Sequence, residues 1–203
     1  MCCVRHKKGR RKHVTRYRLL YCLLLSIVGL QANATDLQYR LDVSYSEANP
    51  DYSAFENGDG ASIYGEILAN DAIFAFIRRA DVKFRPSGPV DGGSVEYWDE
   101  LGAGFKHPIS DSFFILGNMS LQYLKKKDKN ERGHGVQVGA RYQPFESFGV
   151  NLYAGRIDVV IKDWTLRAEM DYRLTQHTYL VARLRDYADW DVTYYEFGAG
   201  IVF

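Results

Sequence analysis

Residues 164–173 read Trp164-Thr165-Leu166-Arg167-Ala168-Glu169-Met170-Asp171-Tyr172-Arg173. Every even position is apolar or aromatic, and every odd one is polar or charged. A helix would spread those two sets around its circumference. Only a β-strand, whose side chains alternate between two faces, keeps them apart. The same period of two recurs from Thr35 to the end of the chain, interrupted at short intervals by turn or loop chemistry. No long helical stripe occurs, and the longest apolar runs, such as Ala72-Ile73-Phe74-Ala75-Phe76-Ile77, are too short for a spanning helix.

The pattern predicts ten strands, over about 37–46, 61–69, 72–84, 95–106, 112–124, 134–143, 148–158, 164–173, 178–186 and 192–203. In the first, Leu37, Tyr39, Leu41, Val43 and Tyr45 share one face, and Gln38, Arg40, Asp42 and Ser44 the other. Over 72–84 the apolar face changes parity near Arg78-Arg79, which predicts a bulge. The connections alternate in kind. Residues 69–71, 107–111, 144–147 and 175–177 read as tight turns, whereas 47–60, 85–94, 125–133, 159–163 and 187–191 are mostly longer and more polar. Short turns at one end and longer loops at the other describe an all-β, up-and-down antiparallel barrel with one end facing a confined compartment. Eight strands is the alternative if two short runs fail to pair.

The N-terminus differs from this body. Residues 1–34 hold eight basic residues and no acidic one, and they contain all three cysteines, Cys2, Cys3 and Cys22. A basic stretch ends at Arg18, an apolar run of 12 residues spans 19–30, and Ala32-Asn33-Ala34 follows. That is the three-part pattern of a secretory signal peptide, 1–34, cut after Ala34. The apolar run is short of the roughly 20 residues a membrane anchor needs. The expected mature domain, 35–203, holds 18 basic residues against 25 acidic ones. An acidic body does not suit nucleic acid, which requires clustered Lys and Arg. Without a cysteine, this body has no disulfide, no Cys-ligated zinc and no thiol nucleophile.

Alternation alone does not say which face is inside. A soluble barrel points its apolar residues inward; a membrane barrel points them at lipid and keeps a polar lumen. Two features favour the second. The polar face is heavily charged, with Arg40, Arg79, Lys83, Arg141, Arg167, Arg173, Arg183 and Arg185 against Asp42, Glu66, Asp81, Glu100, Glu169, Asp171 and Glu196. Near-balanced charge of that density suits ion pairs across a narrow lumen. Aromatics also crowd the two ends of the apolar face. Tyr39, Phe105, Phe113, Tyr142, Phe148, Tyr172 and Phe203 fall at the turn end, and Tyr45, Tyr97, Tyr123, Trp164 and Tyr195 at the loop end. Two aromatic belts around an aliphatic band match two lipid–water interfaces.

The last strand, Thr193-Tyr194-Tyr195-Glu196-Phe197-Gly198-Ala199-Gly200-Ile201-Val202-Phe203, ends on an aromatic residue with apolar residues at alternate positions before it. It resembles the C-terminal strand of Gram-negative outer-membrane β-barrels, and the body over 35–203 is similar to small OmpA-type and porin-like barrel proteins. The resemblance implies an outer-membrane location. It also implies that Tyr195, Phe197, Ile201 and Phe203 form the tail read by the barrel-assembly machinery.

The chemistry expected beyond this is sparse. His107 and His177 fall in tight turns and His134 at the edge of a polar loop, with no metal-ligand spacing among them. No catalytic group, metal or cofactor is expected. His134, preceded by Glu131 and Arg132, is the best position for a lipid-modifying enzyme, but no hydroxyl nucleophile stands beside it. Glu56-Asn57-Gly58-Asp59-Gly60 is oxygen-rich but lacks EF-hand spacing, and reads better as a turn. Lys125, Lys126 and Lys127 sit where lipopolysaccharide phosphates would lie. The leading expectation is a structural or porin-like barrel with a narrow, ion-pair-filled lumen. The alternatives are a barrel that binds partners through its loops 47–60, 125–133 and 187–191, and a lipid-modifying enzyme.

Overall fold

The computed structural model describes residues 37–50, 57–69, 72–83, 95–127, 129–159, 162–189 and 192–203. The expected signal peptide, 1–34, and residues 51–56 and 85–94 of the expected loops lie outside them. Gln38–Phe203 forms one compact unit. Its strands are β1 (Leu37–Pro50), β2 (Gly58–Ala69), β3 (Ile73–Lys83), β4 (Val95–Ser110), β5 (Phe113–Lys126), β6 (Asn130–Phe145), β7 (Phe148–Asp158), β8 (Lys162–Arg173), β9 (Thr178–Tyr187) and β10 (Val192–Val202). They close into an antiparallel barrel in the order β1-β10-β9-β8-β7-β6-β5-β4-β3-β2. Ten strands, not eight, make the cylinder.

The closing seam pairs β1 with β10 from Arg40 opposite Val202 to Pro50 opposite Val192. At its turn end the Tyr39 N–H donates to the Phe203 carbonyl at 2.8 Å, and the Phe203 N–H donates back at 3.0 Å. This seam leaves no edge strand with unpaired donors and acceptors. The short connections carry their own polar partners. In the β8–β9 turn the Thr175 hydroxyl accepts the N–H groups of His177 at 3.2 Å and Thr178 at 3.0 Å, replacing ladder bonds that the reversal removes.

Several boundaries differ from the sequence expectation, each for a physical reason. Residues 107–109 and 144–145 belong to strands, so the turns shrink to 111–112 and 146–147. Pro108 and Pro144 are accommodated at register shifts between Pro108 and Ser110 and between Tyr142 and Phe145. A bulge is where a sheet tolerates a residue with no N–H. At the other end β5 and β6 run on as a hairpin, and the Lys126 N–H donates to the Lys129 carbonyl at 2.9 Å. The polar stretch 125–133 is therefore mostly strand, and His134 lies within β6. A strand that projects past its apolar surroundings is polar on both faces, which erases the alternation.

The bulge expected near Arg78-Arg79 is absent. β3 keeps an unbroken register with β2 and β4, and buried and exposed residues alternate strictly along it. Phe74, Phe76, Arg78, Ala80 and Val82 point inward; Ile73, Ala75, Ile77, Arg79, Asp81 and Lys83 point outward. Both faces of its first half are apolar, so composition could not fix the parity. The inward rings fit because Phe74 and Phe76 stand opposite Gly104 and Gly102. A Cβ at either glycine would collide with the facing ring. Phe76 then packs 6.1 Å from both the Tyr64 and the Phe74 ring centroids. Gly102→Val should cost about 1–3 kcal/mol through overpacking, read as a lower urea midpoint with the denaturant slope unchanged. An unaltered midpoint would mean that the Phe76 ring does not lie over this glycine.

Candidate functional site

The barrel interior is layered along its axis. At the loop end it is apolar. Ala48, Val82, Trp98, Leu124, Ile157, Tyr187 and Tyr194 are all buried in one cluster. The Trp98 ring stacks on Tyr187 at 5.0 Å and meets Tyr194 edge-on at 6.2 Å. Its indole N–H donates to Gln122 Oε1 at 2.6 Å, and the Gln122 amide donates to Ser120 Oγ at 2.7 Å. Both tyrosines are among the large amphipathic side chains that fill a core well when their polar ends find partners.

The middle layer is ionic. Arg183, fully buried, donates through Nη1 and Nη2 to the two oxygens of Asp42 at 2.8 and 2.6 Å, and through Nε to Glu169 at 2.6 Å. Glu169 also accepts from Arg167 at 2.8 Å. Arg78 donates through Nε to Glu196 at 3.0 Å and through Nη2 to the same oxygen. Arg185 donates to Glu100 at 3.0 Å. Nearer the turn end, Arg141 grips Asp171 with two bonds of 2.8 and 3.1 Å. Arg40 lies 3.6 Å from Glu169 and 3.8 Å from Asp171. Tyrosines insulate this layer: Tyr179 donates to Asp42 at 2.8 Å, Tyr64 to Glu66 at 2.6 Å, and the Arg183 guanidinium lies 4.7 Å from the Tyr64 ring centre. Arg40, Arg78, Arg141, Arg167, Arg183 and Arg185 are thus balanced in number by Asp42, Glu66, Glu100, Glu169, Asp171 and Glu196. Every cation here is arginine. Its fixed planar fork offers two parallel donors to a carboxylate, and it is more weakly hydrated than an ammonium.

Towards the turn end the lumen opens into a cleft with about 120 Å³ of free space. Tyr153, Phe74 and Leu116 form its apolar lining, and Arg141, Glu169, Asp171 and Arg173 its polar one. The ionic layer closes the cleft on the loop side.

Most of the charged residues singled out from sequence point inward. Three do not: Arg79, Asp81 and Lys83 lie on the outward face of β3, because the parity of that strand never switches. Arg79 instead sits over the Tyr97 ring at 4.0 Å and 3.7 Å from Asp99. Arg173 keeps the inward parity but is exposed at the turn-end mouth. Arg78 takes the inward place expected of its neighbour; its signal was the strict alternation with Phe76 and Ala80. The three lysines separate: Lys125 faces outward, Lys126 has the inward parity and Lys127 lies beyond the strand. Lys125 pairs with Glu96 at 2.6 Å. That carboxylate raises the pKa of the Lys125 ammonium.

The outward face is apolar over its middle. Met119, Leu121 and Val138 leave 65%, 66% and 64% of their surface exposed. Tyr142, Tyr172 and Phe203 stand exposed at the turn end, with Phe203 stacked 5.5 Å from Tyr39. Trp164 and Tyr195 stand exposed nearer the loop end. Tyr195, Phe197, Ile201 and Phe203 of the last segment all belong to this surface.

No protein-family model and no curated protein matches the chain. Among solved structures it is similar to the KdgM porin in complex with disordered oligogalacturonate, at 10% identity and a TM-score of 0.43, covering 82% of this chain and 98% of that one. It is likewise similar to Ail, the attachment invasion locus protein of Yersinia pestis, at 13% identity and a TM-score of 0.41, covering 83% and 100%. The outer membrane protein OprG of Pseudomonas aeruginosa matches at 12% identity and a TM-score of 0.39, covering 84% and 97%. These likenesses are too distant to assign an activity.

Arg183→Ala strips Asp42 and Glu169 of their main donor inside the barrel, and should cost about 3–5 kcal/mol of unfolding free energy. Arg167→Ala should cost a few kcal/mol for the same reason; a change below about 0.5 kcal/mol would mean that its side chain meets water. Arg79→Ala removes an exposed pair and should cost only about 0–1 kcal/mol. Equilibrium denaturation of the three variants side by side makes the comparison.

Proposed function

We propose that this chain is an integral outer-membrane β-barrel of porin-like architecture whose lumen is sealed, so that it conducts few or no ions. The observation that carries the reading is the inversion of its cross-section: arginines and carboxylates are buried, while Met119, Leu121, Val138 and their aliphatic neighbours face out. In water that arrangement leaves a continuous greasy exterior; in a bilayer it places apolar side chains against acyl chains and hides every ladder hydrogen bond in a closed wall. The sealing follows from the interior. A porin with an aqueous channel needs about 16–18 strands, and here the narrower lumen is occupied by the Arg183 network and the Trp98–Tyr187–Tyr194 cluster. The exposed alternation of Tyr195, Phe197, Ile201 and Phe203 suits recognition by the barrel-assembly machinery during insertion.

Fractionation tests the location. The mature protein should stay with outer membranes and migrate differently on a gel before and after boiling; recovery as a soluble periplasmic protein would end the reading. A substitution tests the orientation of the faces. Val138→Arg should cost about 2–4 kcal/mol in a bilayer if it meets the lipid midplane, but almost nothing if that face meets water. In planar bilayers the wild-type barrel should add no steady conductance, and Trp98→Ala combined with Tyr187→Ala should raise it. A wild-type barrel that opens as a stable ion channel would refute the sealed lumen.

A further inference from the structure

Charge inside the barrel is not balanced throughout. The ionic layer matches its arginines with carboxylates. Beyond it, at the turn end, Lys106 and Arg173 also hold the inward parity, and no inward acid among the described residues accompanies them there. The turn-end cleft takes up that surplus. Arg40, Lys106, Arg141, Arg167 and Arg173 line it against Glu66, Glu169 and Asp171. Those acids are already engaged: Glu169 accepts from Arg167 and Arg183, Asp171 from Arg141, and Glu66 from Tyr64. Among the described residues Arg173 has no carboxylate at ion-pair distance.

Arg40 is the second unusual cation of the cleft. It lies near three acids without hydrogen bonding to any of them: Nε is 3.9 Å from Asp42, and Nη1 is 3.6 Å from Glu169 and 3.8 Å from Asp171. Its Nε and Nη2 are buried and have no partner. Those two atoms form the parallel edge of the guanidinium fork, the edge that Arg78 gives to Glu196. A buried donor without an acceptor costs free energy, so this edge favours an incoming oxyanion. A rotation of the side chain turns the covered edge towards the cleft. That rotation breaks no hydrogen bond to an acid, unlike the same motion of Arg141 or Arg183. The Arg40 guanidinium lies 4.2 Å from the Tyr179 ring centre, and Tyr179 is the cross-strand partner of Arg173. Both arginines therefore adjoin one residue of the cleft wall.

Phe74, Leu116 and Tyr153 supply the apolar part of the lining, and the free space is several times what one water needs. The nearby acids repel a second negative charge on any ligand. We propose that the turn-end cleft binds one small organic monoanion, a carboxylate on a ring or a short apolar chain. Arg173 at the mouth and Arg40 on the wall take the carboxylate, and the apolar body packs against Phe74, Leu116 and Tyr153. The ionic layer closes the site on the loop side, so the ligand enters and leaves by the turn-end mouth. The cleft is interior, and the proposal does not depend on what surrounds the barrel.

The test uses the full mature barrel folded in detergent micelles. Fluorine NMR follows binding of para-fluorobenzoate and of para-fluorobenzamide, its uncharged counterpart. The wild type should bind the benzoate saturably and about tenfold more tightly than the amide. Arg40→Gln and Arg173→Gln should each weaken binding of the benzoate about tenfold and leave the amide unchanged. Arg79→Gln, on the outward face, should change neither. The mature domain has no cysteine, so Gln38→Cys, exposed at the mouth, takes a bulky thiol reagent at that point alone. The labelled protein should lose binding and the unlabelled one keep it. Equal binding of benzoate and amide by the wild type would overturn the proposal, and so would arginine variants that keep the preference. Inorganic phosphate that displaces the probe as well as unfluorinated benzoate does would reduce the cleft to a general anion trap and overturn the organic assignment. Binding that survives the label at residue 38 would overturn the mouth as the route. Heat-modifiable migration shows which variants fold; if Arg40→Gln does not, Arg173→Gln, at an exposed side chain, decides alone. Recovery of the protein outside the outer membrane would sink the location and leave the outcome of this test standing.

Discussion

The pairing of β1 with β10 is the constraint on which the rest of this structure depends. A sheet that closes on itself has no edge, so every strand has hydrogen-bonding neighbours on both sides. Closure also converts two faces into two solvents. Alternate side chains enter a cylinder of fixed, small cross-section, and the others meet whatever surrounds the protein. Each residue on β10 is assigned to one of these environments by its parity with Glu196, which is fully buried, and Phe197, which is exposed.

Inside that cylinder, burial of charge has to be compensated on the spot, because water has little room. The ionic layer does this with six arginines and six carboxylates, linked so that one cation serves several acids, as Arg183 serves both Asp42 and Glu169. Breaking one link exposes more than one partner, and the network resists piecemeal loss more than a set of isolated pairs would. Tyrosines complete the layer, since Tyr64 and Tyr179 give a hydroxyl to an acid and a ring face to an arginine. The apolar cluster around Trp98 closes the loop end. Towards the turn end, the cleft lined by Tyr153, Arg141 and Asp171 keeps about 120 Å³ of free space.

The outward surface obeys the same logic in reverse. Its middle band carries no charge to satisfy, so aliphatic side chains suffice. Arginines return near the loop end, where Arg79, Arg132 and Arg156 lie across aromatic rings. Such pairs tolerate a boundary: the ring favours the apolar side, and the guanidinium reaches the aqueous one. Among the described residues the outward cations near the loop end all lie on β3–β8, most of them beside an acid.

The period of two in 164–173 and its repeats determined that the body would be a set of antiparallel strands, and the tight turns determined that consecutive strands would be neighbours. Those are local properties: a strand's alternation and a reversal's polar residues are written within a few positions. The count of ten, the density of charge on one face and the aromatic belts were legible for the same reason. Other features required the closed tertiary structure. β3 is apolar on both faces in its first half, so only its pairing with Gly102 and Gly104 could decide that Phe74, Phe76 and Arg78 go inward and Arg79, Asp81 and Lys83 outward. The hairpin of β5 and β6 reads as a loop because both of its faces are polar where it projects. The partners of Arg183 lie 141 and 14 residues away along the chain, and the turn-end cleft takes residues from every strand. No local pattern specifies such meetings; they are fixed by the register and curvature with which the sheet closes.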